Sequence, residues 1–379
     1  MYYDHAATTS MCPEAQAAFL KYASCGNPSS KHAPGRLAQQ VLRDTTDMLK
    51  QDTGATEVTF TSGATEANRI IFDHVVRAWQ KTGRTPHFVA SSIEHKSILD
   101  LLQRMYLDGV ANYSLVQPDS LGHVRGEDIV RALQKHTALV SVIAANNEIG
   151  TCNDIAHIVR VVAPIPVHTD ATQAFGKLDL GMDSGLAALT MSGHKFGAGK
   201  GIGALLLGPQ LPPMTRPGTP NVAAVAALQA AWLKFTHNRR SKNDIMAKRR
   251  MAIVRSLSQL QAYTKVLTPL RSSVPNILLL SIVPRQGTRK FCNGECQRLL
   301  DQNDIYIGIG SACNAHSKQA SHVVKAINLT AEEQRGVLRI SIGDDSNDIE
   351  QFIKRFIRIV NAYLESLQLP SAEPAFPMQ

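Results

Sequence analysis

Between Val58 and Leu207 short apolar runs alternate with stretches whose apolar residues return at helical spacing, and that alternation narrows the architectures open to the chain. It predicts a mostly parallel sheet, because a strand that lies parallel to its predecessor needs a crossover, usually a helix. The expected strands are Val58 to Thr61, Phe88 to Ser91, Leu139 to Ala144, Val167 to Thr169, Ala187 to Met191 and Ala204 to Leu207. In open α/β sheets ligands bind outside the carboxyl ends of the strands, and chemically capable residues sit just past several of these runs.

Beyond Leu207 the pattern changes. Leu211-Pro212-Pro213-Met214 interrupts it, Arg216 to Val222 reads as a loop, and a long helical region extends from about Ala223 to Gln261. Strands are expected at Ile277 to Val283, Ile305 to Ile309 and Val337 to Ile342. An amphipathic helix then buries Ile349, Phe352, Ile353, Phe356, Val360 and Leu364. This second half reads as a smaller α+β unit, and a chain of 379 residues has room for both. The Pro-rich end from Pro370 to Gln379 is expected to be loose.

Apolar residues make up 44% and charged residues 19%, the balance of a soluble globular protein. No apolar run approaches the roughly 18 residues of a membrane span, and the first residues lack a secretory pattern. A cytoplasmic protein without membrane contact is therefore expected. The six cysteines, at positions 12, 25, 152, 292, 296 and 313, form neither a disulfide framework nor a C-x-x-C metal pair. Cys292 and Cys296, four apart, would share a face of a helix but have no second ligand pair, so reduced thiols and no metal are expected. The net charge of +9 raises the question of nucleic acid, above all around Arg239, Arg240, Lys242, Lys248, Arg249 and Arg250. Met246, Ile253, Leu257 and Leu260 recur among those charges at roughly helical spacing, which favours the wet face of an amphipathic helix over a nucleic-acid surface.

Two local patterns carry chemistry. Behind Ser62-Gly63-Ala64-Thr65 the residues Ala67, Ile70, Ile71, His74, Val75 and Ala78 recur at helical spacing, so a helix opens at a strand end with its free N–H groups available to an anion. Thr65 is in that case a phosphate ligand, or else a simple first-turn hydroxyl. The second is Ser192-Gly193-His194-Lys195, one short apolar run after Asp170-Ala171-Thr172-Gln173. A lysine at the end of a buried strand and a carboxylate one strand earlier are what pyridoxal 5'-phosphate requires, the amine for its aldehyde and the carboxylate for its pyridine nitrogen. The same two residues also read as a solvated loop lysine and an ordinary strand-end acid.

The surrounding segments extend the pattern over nearly the whole chain. They are Tyr3-Asp4-His5-Ala6-Ala7-Thr8-Thr9, Gly26-Asn27-Pro28-Ser29-Ser30, Thr61 to Asn68, Glu94-His95-Lys96 and Asn146-Asn147-Glu148-Ile149-Gly150. After these come His168 to Gln173, Ser192 to Lys195, Gly199-Lys200-Gly201-Ile202-Gly203, Arg216 to Val222, Gly310-Ser311-Ala312-Cys313 and Leu338 to Gly343. In that order they resemble the cysteine desulfurases, the NifS-like branch of the class V aminotransferases and fold-type I pyridoxal phosphate enzymes. The resemblance implies an aspartate-aminotransferase-like large domain over residues 15–255, with a mostly parallel seven-stranded sheet. Residues 1–14 and 256–379 would form the small α+β domain that carries the cysteine loop.

It also implies roles. Lys195 would bond the cofactor, Asp170 would pair with its ring nitrogen, and Gln173 and Asn147 would lie near its phenolic oxygen. His95 would stack on the ring and move protons. The phosphate would fall to Ala64, Thr65, Ser192 and His194, with Thr219 arriving from the second subunit of a homodimer. Arg339, a guanidinium in a strand pattern, needs an anionic partner. The α-carboxylate of an amino acid supplies one through a bidentate fork, and an internal salt bridge is the alternative. Asn27, Asn147 and His32 would line the substrate pocket. Cys313, in a loop of small residues, would take sulfur from L-cysteine as a persulfide, release L-alanine and pass the sulfur to an acceptor protein, as in iron–sulfur cluster assembly.

Departures from the family pattern fall at Gly208 to Thr215, where a Gly-Gly-Gly-Gln-Glu segment is usual, at Asn314 after the cysteine, and at Ala320 where proline often stands. The first bears on the pocket edge and dimer contact nearby, and so on the role of Thr219, and altered or slow sulfur delivery is the expectation at the other two. A selenocysteine lyase or another class V enzyme is the second reading. A binding protein that uses its basic surface is the third, against which stands the retained set of Lys195, Asp170, Cys313 and Arg339.

Overall fold

The structure, a computed structural model, describes residues 1–214, 217–285, 289–310 and 320–368. Among the described residues seven strands form one sheet: β1 (Glu57–Thr61), β2 (His87–Ser91), β3 (Asn112–Val116), β4 (Thr137–Ser141), β5 (Val167–Asp170), β6 (Ala188–Ser192) and β7 (Gly203–Leu207). Their spatial order is β1-β7-β6-β5-β4-β2-β3. Only β7 runs against its neighbours, so the sheet is mostly parallel. Every residue of β2, β4, β5, β6 and β7 is buried, which is why these strands read as near-continuous apolar runs. Polar exceptions in the core satisfy one another. His168 of β5 bridges Ser141 Oγ and Thr190 Oγ1 on the two flanking strands, 3.0 Å from each, and burial holds its pKa down to about 4, so it is neutral.

Helix α1 (Ala64–Gln80) opens three residues after β1 and buries Ala67, Asn68, Ile71, Phe72, Val75 and Val76, close to the face expected from spacing. Helix α2 (Lys96–Leu107) follows β2 after a short turn. The long helical region resolves into two helices, α3 (Val222–His237) and α4 (Arg239–Ser256), broken at Asn238, whose φ of −129° and ψ of 33° leave the helical region.

The basic run on α4 is not uniformly wet, as the charge pattern had led us to expect. Arg250 is buried, and its guanidinium donates to Val274 O at 2.7 Å, Leu270 O at 3.1 Å and Ser273 Oγ at 2.9 Å. Arg249 donates to Gly343 O and Asp344 O, at 3.1 and 3.0 Å. Both therefore fasten the helix to chain that follows it, while Arg240 and Lys248 remain exposed.

The second core gathers round an antiparallel sheet of β8 (Ala262–Val266), β9 (Ile277–Pro284) and β10 (Val337–Ser341), with β9 central. Helix α5 (Ile349–Ser366) closes it with Phe352, Phe356, Val360 and Leu364, while Ile349 and Ile353 pack at its edge. The strand expected over Ile305 to Ile309 is shorter. Tyr306–Ile307 pairs with Tyr2–Tyr3 at the other end of the chain, and Gly308 adds an isolated bridge to Arg339. Tyr3 stacks on Phe352 at 3.7 Å between ring centroids and donates to Asp348 Oδ1 at 2.8 Å. The amino terminus is thus anchored in the small core, alongside Met246 and Ile253 of α4.

From that anchor the chain crosses to the large sheet. Ala6 N donates to Ser341 Oγ at 2.9 Å, and Thr9 N to His194 O at 2.9 Å. Residues 4–9 therefore pass over the carboxyl ends of β5 and β6. Cys292 and Cys296 do not share a helix face, since Cys292 precedes the first turn of the Asn293–Asp301 helix and is exposed while Cys296 is buried. Among the described residues no helix is long and apolar enough to cross a membrane.

Candidate active site

At the carboxyl ends of β1, β4, β5 and β6 lies a cavity of about 520 Å³, and Ala64, Thr65, His95, Asn147, Asp170, Gln173, Ser192, His194 and Lys195 all line it. Nine residues singled out on separate segments of sequence are thereby brought together. Lys195 ends a 3-10 turn that follows β6 directly. Its Nζ donates to Ala6 O at 2.7 Å and Ala7 O at 2.8 Å, so the crossing segment holds the amine in place. Burial, with Arg339 adding its charge, lowers the lysine pKa to about 8 against the opposing pull of Asp170 and Asp4.

Asp170 closes β5. Its Oδ1 accepts from Thr172 N at 3.0 Å and its Oδ2 from Asn68 Nδ2 at 3.0 Å. Asn68, which the sequence reading gave no role, is fully buried on α1 and also reaches Ser97 Oγ at 3.1 Å. Its signal in the sequence was an amide on an otherwise apolar helical face beside Ala67 and Ile71. His95 caps α2, with Nδ1 accepting from Ser97 N at 3.2 Å. The protein around it keeps the imidazole below its ordinary pKa although Asp170 pulls the other way. Gln173 Nε2 donates to Ala6 O at 2.9 Å, so one carbonyl receives both Gln173 and Lys195.

The other end of the cavity is built for an anion. The first turn of α1 points into it after Gly63, whose φ of +156° few other residues adopt. A Cβ on Gly203 would lie 2.7 Å from Gly63 Cα, so only glycine lets β7 and the helix start pack this closely. Ser192 stands next to that turn. His194 meets Thr8 Oγ1 through Nδ1 at 3.1 Å, and burial, with Lys195 and Lys200 nearby, lowers its pKa to about 4. It is a neutral imidazole and an effective hydrogen-bond donor. Pyridoxal 5'-phosphate needs an amine, a carboxylate and a phosphate cradle at fixed relative positions, and this cavity holds all three, so the residues fit the group.

Arg339 of β10 is not among the residues that line the cavity, and it meets one of them, Asn147, at the main-chain carbonyl. It donates from Nη2 to Asp4 Oδ1 at 2.7 Å and from Nη1 to Asn147 O at 3.0 Å. Of the two partners open to it from sequence, the internal salt bridge is the one present. Three expected residues stand elsewhere in the chain. Asn27 is exposed, with Oδ1 accepting from Ser29 N at 2.9 Å in a turn, and His32 caps the Ala33–Thr53 helix. Thr219 lines a neighbouring cleft of about 350 Å³, which shares Ser62 and Gly201 with the Lys195 cavity. Cys313 and Asn314 lie outside the described residues. The ends of their segment adjoin the site, since Gly308 bridges Arg339 through backbone hydrogen bonds of 2.9 and 2.8 Å and His322 Nε2 meets Glu94 O at 2.9 Å.

Comparison with known proteins agrees with this geometry. Residues 1–213 match the family model described as aminotransferase class-V. An IscS-like cysteine desulfurase of Mycobacterium tuberculosis is 34% identical over 91% of this chain and 92% of its own length. The cysteine desulfurase IscS of Dictyoglomus turgidum is 29% identical over 97% of this chain and 98% of its own. Among solved structures, a NifS-like protein from Rickettsia africae superposes with a TM-score of 0.81 at 27% identity, covering 95% of this chain and 99% of that one. Another NifS-like protein reaches a TM-score of 0.85 at 26% identity, covering 96% of this chain and 99% of its own.

Proposed function

The chain belongs to the class-V aminotransferase family, and on that footing we propose that it is a cysteine desulfurase, which holds pyridoxal 5'-phosphate in the Lys195 cavity and moves the sulfur of L-cysteine to Cys313. The observation that carries this reading is a half-buried Lys195 amine in one cavity with Asp170, facing a helix N-terminus across it. When bound, the cofactor supplies an electron sink that acidifies the substrate's α-carbon and loosens its carbon–sulfur bond.

The protein's own residues do the rest. Thr65, Ser192, His194 and the Ala64 N–H hold the phosphate, and Asp170 keeps the ring nitrogen protonated, its own position fixed by Asn68 and the Thr172 N–H. An amine titrating at about 8 is neutral often enough near neutral pH to accept and return the α-proton. Arg339 receives the α-carboxylate. The Cys313 thiolate forms the new S–S bond as the carbon–sulfur bond breaks, and the methyl group of L-alanine gains the proton that the persulfide thiol gives up. Cysteine thiol plus L-cysteine gives persulfide plus L-alanine, so no outside oxidant is needed. Thr219, placed beside the cavity rather than in it, suits a homodimer in which it serves the partner's site.

Purified protein should absorb in the near-visible range, and Lys195→Ala should lose that band. Cys313→Ser should keep it while producing neither L-alanine nor persulfide from L-cysteine. Retention of the band in Lys195→Ala, or turnover in Cys313→Ser, would overturn the assignment.

A further inference from the structure

The partner of Arg339 is a carboxylate that the protein itself supplies. Asp4 Oδ1 accepts from Nη2 at 2.7 Å, while Nε of the same guanidinium is buried with no partner among the described residues. An unpartnered buried donor is costly, and on a fork made for two parallel hydrogen bonds it marks a ligand bound by one oxygen where two would fit. Gly308 keeps the space against that edge clear. A Cβ there would lie 2.8 Å from Nη2, 2.9 Å from Nε and 3.0 Å from Asp4 Oδ1. Asp4 thus sits beside the Nε–Nη2 edge and uses half of it.

We propose that Asp4 is a resident competitor for the substrate's α-carboxylate: it occupies Arg339 until an amino acid displaces it, and thereby weakens binding of any carboxylate that has only Arg339 to hold it. This rests on Arg339 being the carboxylate site. The competitor is tethered beside its guanidinium because Tyr2–Tyr3 pairs with Tyr306–Ile307 and Asp4 bridges Ser341, two residues from Arg339. The cost is one charge-assisted hydrogen bond exchanged at each binding event.

The probe is propionate, a carboxylate without an amino group, tested as a competitive inhibitor of L-cysteine turnover by the cofactor-loaded enzyme. Asp4→Asn and the smaller Asp4→Ser should each bind propionate about tenfold more tightly, the scale of one charge-assisted hydrogen bond no longer opposed. In the cofactor-free protein, peptide-resolved phenylglyoxal labelling of Arg339 should become faster in both variants. Unchanged or weakened propionate inhibition in both would overturn the proposal, because an aspartate that merely positions Arg339 would help the ligand and its loss would hurt. Arg339→Lys separates the two layers. If it leaves propionate inhibition at the wild-type level, the carboxylate site lies elsewhere and the underlying reading falls too. If it abolishes inhibition while the Asp4 variants do not strengthen it, only the role of Asp4 falls.

Discussion

Glu94 is fully buried one residue before His95, and replacing it with glutamine should change the pH dependence of stability in a direction fixed by its surroundings. Its Oε1 accepts from Ser91 Oγ and from Ile143 N, while Oε2 has no partner among the described residues. Burial raises its pKa to about 8 and the charge of Asp170 adds to the rise, while the two hydrogen bonds oppose it. Between its unfolded value near 4.5 and about 8 the folded state therefore binds a proton that the unfolded chain has released. The stability from this group is complete below the lower value and is lost as pH rises through the upper one. Glutamine resembles the protonated acid and does not titrate.

Each pH unit inside that window is worth about 1.4 kcal/mol, so between about pH 5.5 and pH 7.5 the variant should gain about 3 kcal/mol on the wild type. His168 works with the opposite sign, since its depressed pKa makes stability rise with pH between about 4 and 6.5. It is common to both proteins and cancels in the difference. Urea midpoints of the two cofactor-free proteins across the window, with m-values compared, measure the gap. A gap that does not change with pH would mean that Glu94 is ionised in the folded protein. The effect assigned to its burial would then be wrong.

Lys195 in the cofactor-free protein should react with acetic anhydride along a titration curve centred at about 8, rising with pH because only the neutral amine attacks, and Arg339→Met should move the midpoint upward. A midpoint at the ordinary value of 10.5 would refute the effect of burial. Asn68→Ala removes one of the two donors to Asp170 and should weaken cofactor retention about tenfold, read as a dissociation constant by absorbance titration. Unaltered retention would leave Asn68 as core filling.

The strands of the large sheet were legible because burial on both faces writes them as apolar runs, and the polar residues just past them followed from where such sheets bind ligands. The edges were not. β3 carries Asn112, Tyr113 and Ser114 on a partly exposed rim, and β8 exposes Tyr263, so neither offers the same signal. Arg250 defeated charge counting for a related reason. Most of its acceptors are main-chain carbonyls, of Leu270, Val274 and Ile277, which no tally of side chains can see. Within the site, each motif announced its own residue, but the hydrogen bonds that set those residues' properties run between motifs, as from Asn68 to Asp170 and from Lys195 to the carbonyls of Ala6 and Ala7. Arg339 is the sharpest instance. A guanidinium in a strand declares that an anion must come to it, but the sequence leaves open whether that anion is substrate or protein. The answer depends on a two-residue parallel pairing between the first strand of the chain and Tyr306–Ile307, which carries Asp4 across 335 positions to within 2.7 Å of the guanidinium. A contact with so little local signature is invisible to pattern, and it is also where the chain's own carboxylate and that of its substrate would meet the same two nitrogens.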